Sequence, residues 1–313
     1  MRPAWSVILL TTLISAGQGL FLALFAVDAY DAARGQASLA PFFVAAAILA
    51  SLVLVGAGLL ASFFHLGHPE RAWRSAAMWR TSWLSREVIA LPLFMALVAL
   101  YGALHWTGRL QGALAVGALA ALACVALFVC TGMIYACIRF LAEWHTPLTV
   151  VNYILLGGAS GFTLATLFSA FAAPALVGFY AAWALIITTL GLATRLWSLQ
   201  RNARLKPMSS VQTAIGVKHP VVRQTSQGFT GSSFNTRDFF HGSSASKMRW
   251  TRRAFLLCAF VLPLALLMLA LRQADVVLLA AAFGVQYFGL LAERWYFFAQ
   301  ANHPQNLYYQ AIS

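Results

Sequence analysis

Residues 6–29 read SVILLTTLISAGQGLFLALFAVDA, and this stretch sets the class of protein. Its one ionisable side chain is Asp28, and about 20 apolar residues are enough for a helix to cross a lipid bilayer. The preceding Arg2 and the small residues 15–17 are also typical of a secretory signal peptide with its cleavage site, but the apolar run is longer than the core of such a peptide. We therefore predict that this stretch is a retained transmembrane helix.

Seven further apolar runs of similar length follow it. Hydrophobic residues make up 61% of the 313 residues and charged residues 9%, whereas soluble domains hold about 45–50% and about 25%. A helix satisfies its own backbone hydrogen bonds in lipid, so we predict an all-α fold, a polytopic membrane helical bundle that forms a single transmembrane domain over residues 1–313. The eight predicted transmembrane helices are Ser6–Ala29, Leu39–Phe64, Trp83–His105, Leu110–Ile138, Leu148–Phe171, Ala175–Leu196, Ala254–Leu271 and Val276–Phe298.

The positions of lysine and arginine predict how this bundle lies in the membrane. With eight spans, both termini and the 2–3, 4–5 and 6–7 loops share one side, which holds 18 of the 21 basic residues. Cytoplasmic loops of membrane proteins are enriched in these residues, so we predict a bacterial inner-membrane protein with both termini in the cytoplasm. The same distribution explains the net charge of +13. We therefore expect this charge to reflect membrane topology and lipid contact, and not binding to nucleic acid. The opposite side holds Arg34, Arg109 and Arg272.

A long basic segment, residues 200–253, interrupts the apolar pattern between spans six and seven. It is rich in Ser, Thr and Gly, and long structureless connections in compact proteins are usually functional or disordered. One interpretation is a solvated loop that lies against anionic lipid. We favour a cytoplasmic docking segment for a soluble partner, because aromatic residues and arginine are common in protein interfaces. Its phenylalanines are Phe229, Phe234, Phe239 and Phe240.

The cysteines and histidines do not form a pattern typical of metal binding. We interpret the four cysteines as small apolar side chains inside helices, since none forms a CxxC pair. Every histidine lies at a helix end, in a loop or in the tail, so we expect neither a haem between facing helices nor another metal site in this chain. The cysteines are Cys124, Cys130, Cys137 and Cys258, and the histidines are His65, His68, His105, His145, His219, His241 and His303.

The connection HLGHPERAWRSAAMWRTSWLSREV, residues 65–88, brings two candidate site residues to one side of the membrane. His65 ends span two and Glu87 begins span three, and consecutive antiparallel helices are usually neighbours. A quinone needs an apolar slot, hydrogen-bond partners and a group that moves protons, and histidine and a half-buried carboxyl suit those roles. As alternatives, His65 is a cation stabilised by the helix dipole, and Glu87 pairs with Arg86 or reaches out to the interface.

Three motifs resemble the membrane-anchor subunits of the dimethyl sulfoxide reductase family. They are HLGHPERAW at 65–73, SWLSREVIALPLF at 82–94 and WHTPLTVVNYILLG at 144–157. The resemblance implies a haem-free anchor that binds quinol or quinone, either ubiquinone or menaquinone. It also implies two partners, a ferredoxin-like iron–sulfur subunit and a molybdopterin catalytic subunit, which hold the clusters and the molybdopterin. The family's quinone-binding histidine and glutamate correspond to His65 and Glu87.

Around this pair we expect five supporting residues. Arg86 or Arg71 would tune Glu87, and Trp83 would line the slot. His68 and Tyr135 are weaker candidates.

Two motifs in the long loop resemble one branch of this family. TAIGVKHP at 213–220 and GFTGSSFNTRDFFHG at 228–242 are similar to anchors of the cytoplasmic sulfite–quinone oxidoreductases of sulfur-oxidising bacteria. The resemblance implies sulfite oxidation by a partner with quinone reduction at this chain. The alternatives are an anchor that oxidises quinol for an S- or N-oxide reductase, a purely structural anchor, or a transporter. A transporter would be expected to have broken helices and polar groups at the bilayer midplane, and the sequence indicates neither.

Overall fold

The computed structural model describes residues 1–35, 39–207, 209–223, 225, 238–273 and 275–308. Within these ranges the chain forms helices and connections and no strand, and eight helices are long and apolar enough to cross a membrane, as predicted. The helix Ala245–Gln273 contains a π-helical turn at Leu257–Val261. The eight helices are α1 Trp5–Ala33, α2 Pro41–Phe63, α3 Trp83–Trp106, α4 Leu110–Ala136, α5 Pro147–Ala172, α6 Val177–Ala203, α7 Ala245–Gln273 and α8 Val276–Gln300.

Short polar residues set the beginnings of several of these helices. The Ser82 hydroxyl accepts a hydrogen bond from the Ser85 amide at the start of α3, and Asp275 accepts one of 2.7 Å from the Val277 amide at the start of α8. Proline occupies the first turn of α2 and of α5, where its missing N–H costs no helical hydrogen bond.

Helices α6 and α7 extend into the segment 200–253 from both ends. Helix α6 continues to Ala203, and α7 begins at Ala245 with the Ser244 side chain as its cap. The basic run at 247–253 therefore lies in the first turns of a helix rather than in a loop, because a helix does not have to end where the apolar residues do. Within the described part of the connection, a short helix spans Val211–Ile215.

Helix α1 lies at the centre of the bundle and packs mainly against α2 and α5. The contact with α5 is close because glycine faces glycine: a Cβ at Gly19 would meet the carbonyl of Gly157, and a Cβ at Gly161 would meet the backbone of Gly19. Small residues let membrane helices approach to backbone contact. Helix α3, in turn, packs more extensively against α4 than against α2.

The N-terminus and the end of α8 lie at the same end of the bundle, which we name the terminal face. The Met1 ammonium donates to the Ala301 carbonyl at 2.7 Å. The Asn306 amide donates to the Phe239 carbonyl at 2.9 Å, and the Phe239 ring stacks on His303 with centroids 3.8 Å apart. At this face α3, α5 and α7 begin, and α2, α4, α6 and α8 end. We name the opposite end of the bundle the far face. Phe229 and Phe234 lie outside the described residues.

Candidate functional site

Glu87 lies in the second turn of α3, close to the terminal face. Its half-buried carboxyl accepts a hydrogen bond from the Thr131 hydroxyl on α4. Thr131 is itself buried. The site of Glu87 is therefore formed with α4, the helix that α3 packs against most extensively.

His65 lies two residues beyond the end of α2. Its backbone N–H donates to the Ser62 carbonyl at 3.3 Å, and its imidazole is largely exposed. Partial burial lowers the pKa of this imidazole below its usual value of 6.5. Among the described residues no hydrogen bond, ion pair or ring contact joins His65 to Glu87, so their joint role stays a prediction.

Arg86 turns away from Glu87 and stabilises the entrance to α3. Its Nε donates to the Trp79 carbonyl at 2.9 Å and its Nη2 to the Arg80 carbonyl at 2.8 Å. The guanidinium carbon lies 4.2 Å from the centre of the Trp83 ring, a favourable cation–π geometry. In the described part of the chain no ion pair joins Arg86 to Glu87, so the alternative in which Arg86 neutralises this carboxyl is not supported. Arg86 instead holds Trp83 in place.

Arg71 and His68 lie in the exposed connection between α2 and α3, at and just before a 3-10 helix, Pro69–Ala76. Both contact Glu70, whose Oε1 is 3.0 Å from His68 Nδ1 and 3.7 Å from Arg71 Nε. All three side chains are more than half exposed. The structure thus places these two candidates on the surface of the terminal face and not against Glu87.

Tyr135 lies one helical turn after Thr131 and joins an aromatic cluster. Its ring stacks on Tyr153 with centroids 5.8 Å apart and planes at 11°. The Trp144 ring lies 5.3 Å away, edge to face. Residues one turn apart lie on the same face of a helix, so Tyr135 lies on the face of α4 that carries Thr131, the donor to Glu87.

Three buried charged side chains lie beside this cluster. Arg195 Nε is 2.7 Å from Glu293 Oε1, and Arg294 Nε is 3.6 Å from Glu293 Oε2. The Arg294 guanidinium carbon lies 3.7 Å from the centre of the Tyr153 ring. Sequence reasoning did not pair Glu293 with Arg195. Ionisable residues within a span are a signal that the sequence did contain, because burying them in a membrane is expensive.

A second buried polar cluster lies at the far face. Asp28 Oδ2 accepts a hydrogen bond of 3.0 Å from the Tyr101 hydroxyl and is 2.8 Å from His105 Nε2. His105 Nδ1 has no hydrogen-bond partner among the described residues. Asp28 and His105 come from the ends of α1 and α3, and sequence reasoning did not pair them.

The four cysteines differ in how far they are buried. Cys124 and Cys130 are buried, as predicted, whereas Cys137 is exposed because it lies just past the last helical residue. Cys258 in α7 is half-buried. Across the described residues no group of three or more His, Cys, Asp or Glu side chains has a metal-binding arrangement.

Eight apolar helices, with α1 at the centre and polar clusters buried at both ends, define a multi-pass membrane protein. Residues 1–299 match the family described as DMSO reductase anchor subunit (DmsC). The chain is also 55% identical, over all of both chains, to a subunit of the sulfite dehydrogenase of Allochromatium vinosum. The protein therefore belongs to the family of DMSO reductase anchor subunits.

Proposed function

We propose that this anchor subunit exchanges electrons between an iron–sulfur partner and membrane quinone at a site that includes Glu87. The observation that carries the proposal is the Glu87 carboxyl, held near the terminal face by Thr131, which lies one helical turn from Tyr135. A half-buried carboxyl at a helix end can hydrogen bond a quinone oxygen and move a proton to it. Membership of the anchor family supports this assignment.

The reaction assigned to the complex is the oxidation of sulfite to sulfate. Sulfite, water and quinone give sulfate and quinol, with two electrons and two protons transferred to the quinone. The similarity to the sulfite dehydrogenase subunit supports this direction. The sulfur chemistry belongs to the molybdopterin subunit. The second candidate is an anchor that oxidises quinol for an S- or N-oxide reductase, because the matching family is described as the DMSO reductase anchor subunit.

Each candidate residue has a specific task in this proposal. Glu87 holds and transfers the proton, and Thr131 fixes the orientation of its carboxyl. His65, whose pKa is lowered by partial burial, donates a hydrogen bond to one quinone oxygen. Trp83, fixed by Arg86, lines the apolar side of the slot. Arg71 and His68 lie on the exposed surface, where they fit partner contact better than quinone contact.

The iron–sulfur subunit is proposed to dock on the terminal face, which we assign to the cytoplasm. Exposed tryptophans there lie beside arginines: Arg74 is 5.6 Å from the centre of the Trp73 ring, and Arg253 is 5.5 Å from that of Trp250. Trp73 and Trp250 are 71% and 65% exposed. Exposed aromatic and arginine side chains are typical of protein interfaces.

The test uses the assembled complex in membranes. Glu87→Gln and His65→Arg are expected to abolish quinone-linked turnover, while turnover with a soluble electron acceptor at the catalytic subunit stays normal. Asp31→Asn, which neutralises a carboxyl near the far face, is the matched control. Normal quinone-linked turnover in an intact Glu87→Gln complex would place the quinone elsewhere.

A further inference from the structure

Two cavities meet at one carboxylate on the terminal face. The outer cavity has a volume of about 430 Å³ and is open to solvent. The inner cavity, of about 10 Å³, lies among α5, α6 and α8. Glu143, in the connection between α4 and α5, is half-buried and lines both. A side chain in this position can exchange protons with solvent on one side and with the protein interior on the other.

The inner cavity has the size and the polar lining of a site for one water molecule. A cavity of about 10–15 Å³ is the smallest that holds a water, which needs two to four polar partners. Glu293 Oε2, Arg195 Nη2 and Gln300 Nε2 are buried and without a hydrogen-bond partner among the described residues. All three residues line this cavity, so a water there would satisfy groups that are otherwise costly to bury.

Burying the charged side chains beside the inner cavity costs free energy, because they lose their contact with water. Two guanidinium groups flank the single carboxylate of Glu293, and none of the three side chains exposes more than 4% of its surface. Replacing such a buried ion cluster by apolar residues is often neutral or stabilising. Its presence therefore indicates a role other than stability. Arginine keeps its proton in proteins, and Glu293 supplies the carboxylate that lines the inner cavity.

A line of side chains connects Glu293 to Glu87. Arg294 lies over the Tyr153 ring at 3.7 Å, and the Tyr153 hydroxyl is buried and has no hydrogen-bond partner among the described residues. Tyr153 stacks on Tyr135, which lies one helical turn from Thr131, the donor to Glu87. The line runs through α8, α5, α4 and α3 near the terminal face, at the depth where these helices begin or end.

We propose that this array is the proton inlet of the subunit, leading from Glu143 through the inner cavity and Glu293 to Glu87. Glu143 takes a proton from solvent, a water in the inner cavity passes it to Glu293, and the Tyr153 and Tyr135 hydroxyls pass it to Glu87. Arg195 and Arg294 are positioning residues. The inference rests on the proposed quinone reduction: quinone takes two electrons from the iron–sulfur partner and two protons through this inlet, giving quinol.

The test follows oxidation of the pre-reduced iron–sulfur clusters by quinone in the assembled complex, in H₂O and in D₂O. Glu293→Gln is expected to slow this oxidation about 100-fold, within the range that acid–base groups contribute. Its solvent isotope effect should rise, while the KM for quinone and the reduction of the clusters by substrate stay unchanged. Glu293→Asp, which keeps an acid, should recover part of the rate. Asp31→Asn is the control.

Glu143→Gln separates proton supply from folding, because this side chain is half-buried at the surface. It is expected to slow cluster oxidation with the same rise in isotope effect, and it decides the question if Glu293→Gln does not assemble. Unchanged rates and isotope effects in an assembled Glu143→Gln complex would overturn the inlet. By contrast, clusters that quinone does not oxidise in the wild-type complex would refute the proposed function itself.

Discussion

The guanidinium of Arg195 on α6 lies 2.7 Å from the carboxylate of Glu293 on α8, and neither side chain exposes more than 3% of its surface. This pair joins two helices that are far apart in sequence. Breaking a buried pair leaves an uncompensated charge in a medium of low dielectric constant.

Arg195→Met is therefore expected to destabilise the anchor by about 3–5 kcal/mol. The measurement is thermal unfolding of the purified complex in detergent. Arg204→Met changes an exposed arginine just past the end of the same helix and should leave the melting temperature unchanged. If both variants unfold at the wild-type temperature, the ion pair does not stabilise the folded state.

Thr131→Val removes the hydroxyl that donates to Glu87 while nearly preserving the shape of the side chain. Quinone-linked turnover is expected to fall about 10-fold, since a hydrogen bond to a charged group contributes about 1.5–3 kcal/mol. Thr131→Ser keeps the donor and should retain most of the rate. Steady-state kinetics with a quinone analogue provide the measurement, and equal rates for the two variants would show that the bond has no role in turnover.

Gly161→Ala tests the close contact between α1 and α5. A Cβ at this position meets the backbone of Gly19, and backbone cannot move aside as a flexible side chain does. We expect a loss of about 1–3 kcal/mol from overpacking, seen as a lower melting temperature and less assembled complex. Gly56→Ala is the control, because a Cβ there has open space within 4 Å. A similar loss from both substitutions would contradict the packing argument.

His105→Leu tests the cluster at the far face. It leaves Asp28 with Tyr101 as its remaining side-chain donor among the described residues, in a buried site, so the melting temperature should fall. Quinone-linked turnover in complexes that assemble should stay normal, because this cluster lies at the end of the bundle opposite Glu87. Thr107→Val, an exposed change two residues further on, is the control. A selective loss of turnover would instead give the far face a part in the reaction.

The pKa of His65 predicts a dependence on pH. Burial lowers this pKa from 6.5, so the unfolded chain binds a proton more readily than the folded one. The neutral imidazole is therefore kept above pH 6.5, and its protonation at lower pH opposes folding. His65→Gln should remove this dependence, so wild type and variant are expected to differ in the slope of stability below pH 6.5. Parallel profiles across that range would show that the imidazole is solvated as in the unfolded chain.

The positions of the candidate residues were only partly predictable. The sequence placed Glu87 and His65 on one side of the membrane, and the order of the helices predicted that α2 and α3 are neighbours, as they are. Helix α3 packs mainly on α4, and Glu87 meets Thr131 there. Tyr135 was a weak candidate, and it lies on the same face of α4 as Thr131, one turn away.

The eight spans, the all-α class and the family could all be read from the amino-acid order. Hydropathy is a local property, and each helix in lipid completes its own backbone hydrogen bonds, so no packing partner is needed to recognise a span. The grouping of Glu293, Arg195 and Arg294 beside Tyr153 became visible only in the folded bundle. The rotation and neighbours of each helix depend on side-chain packing between segments far apart in sequence, such as the contact of Gly19 with Gly161.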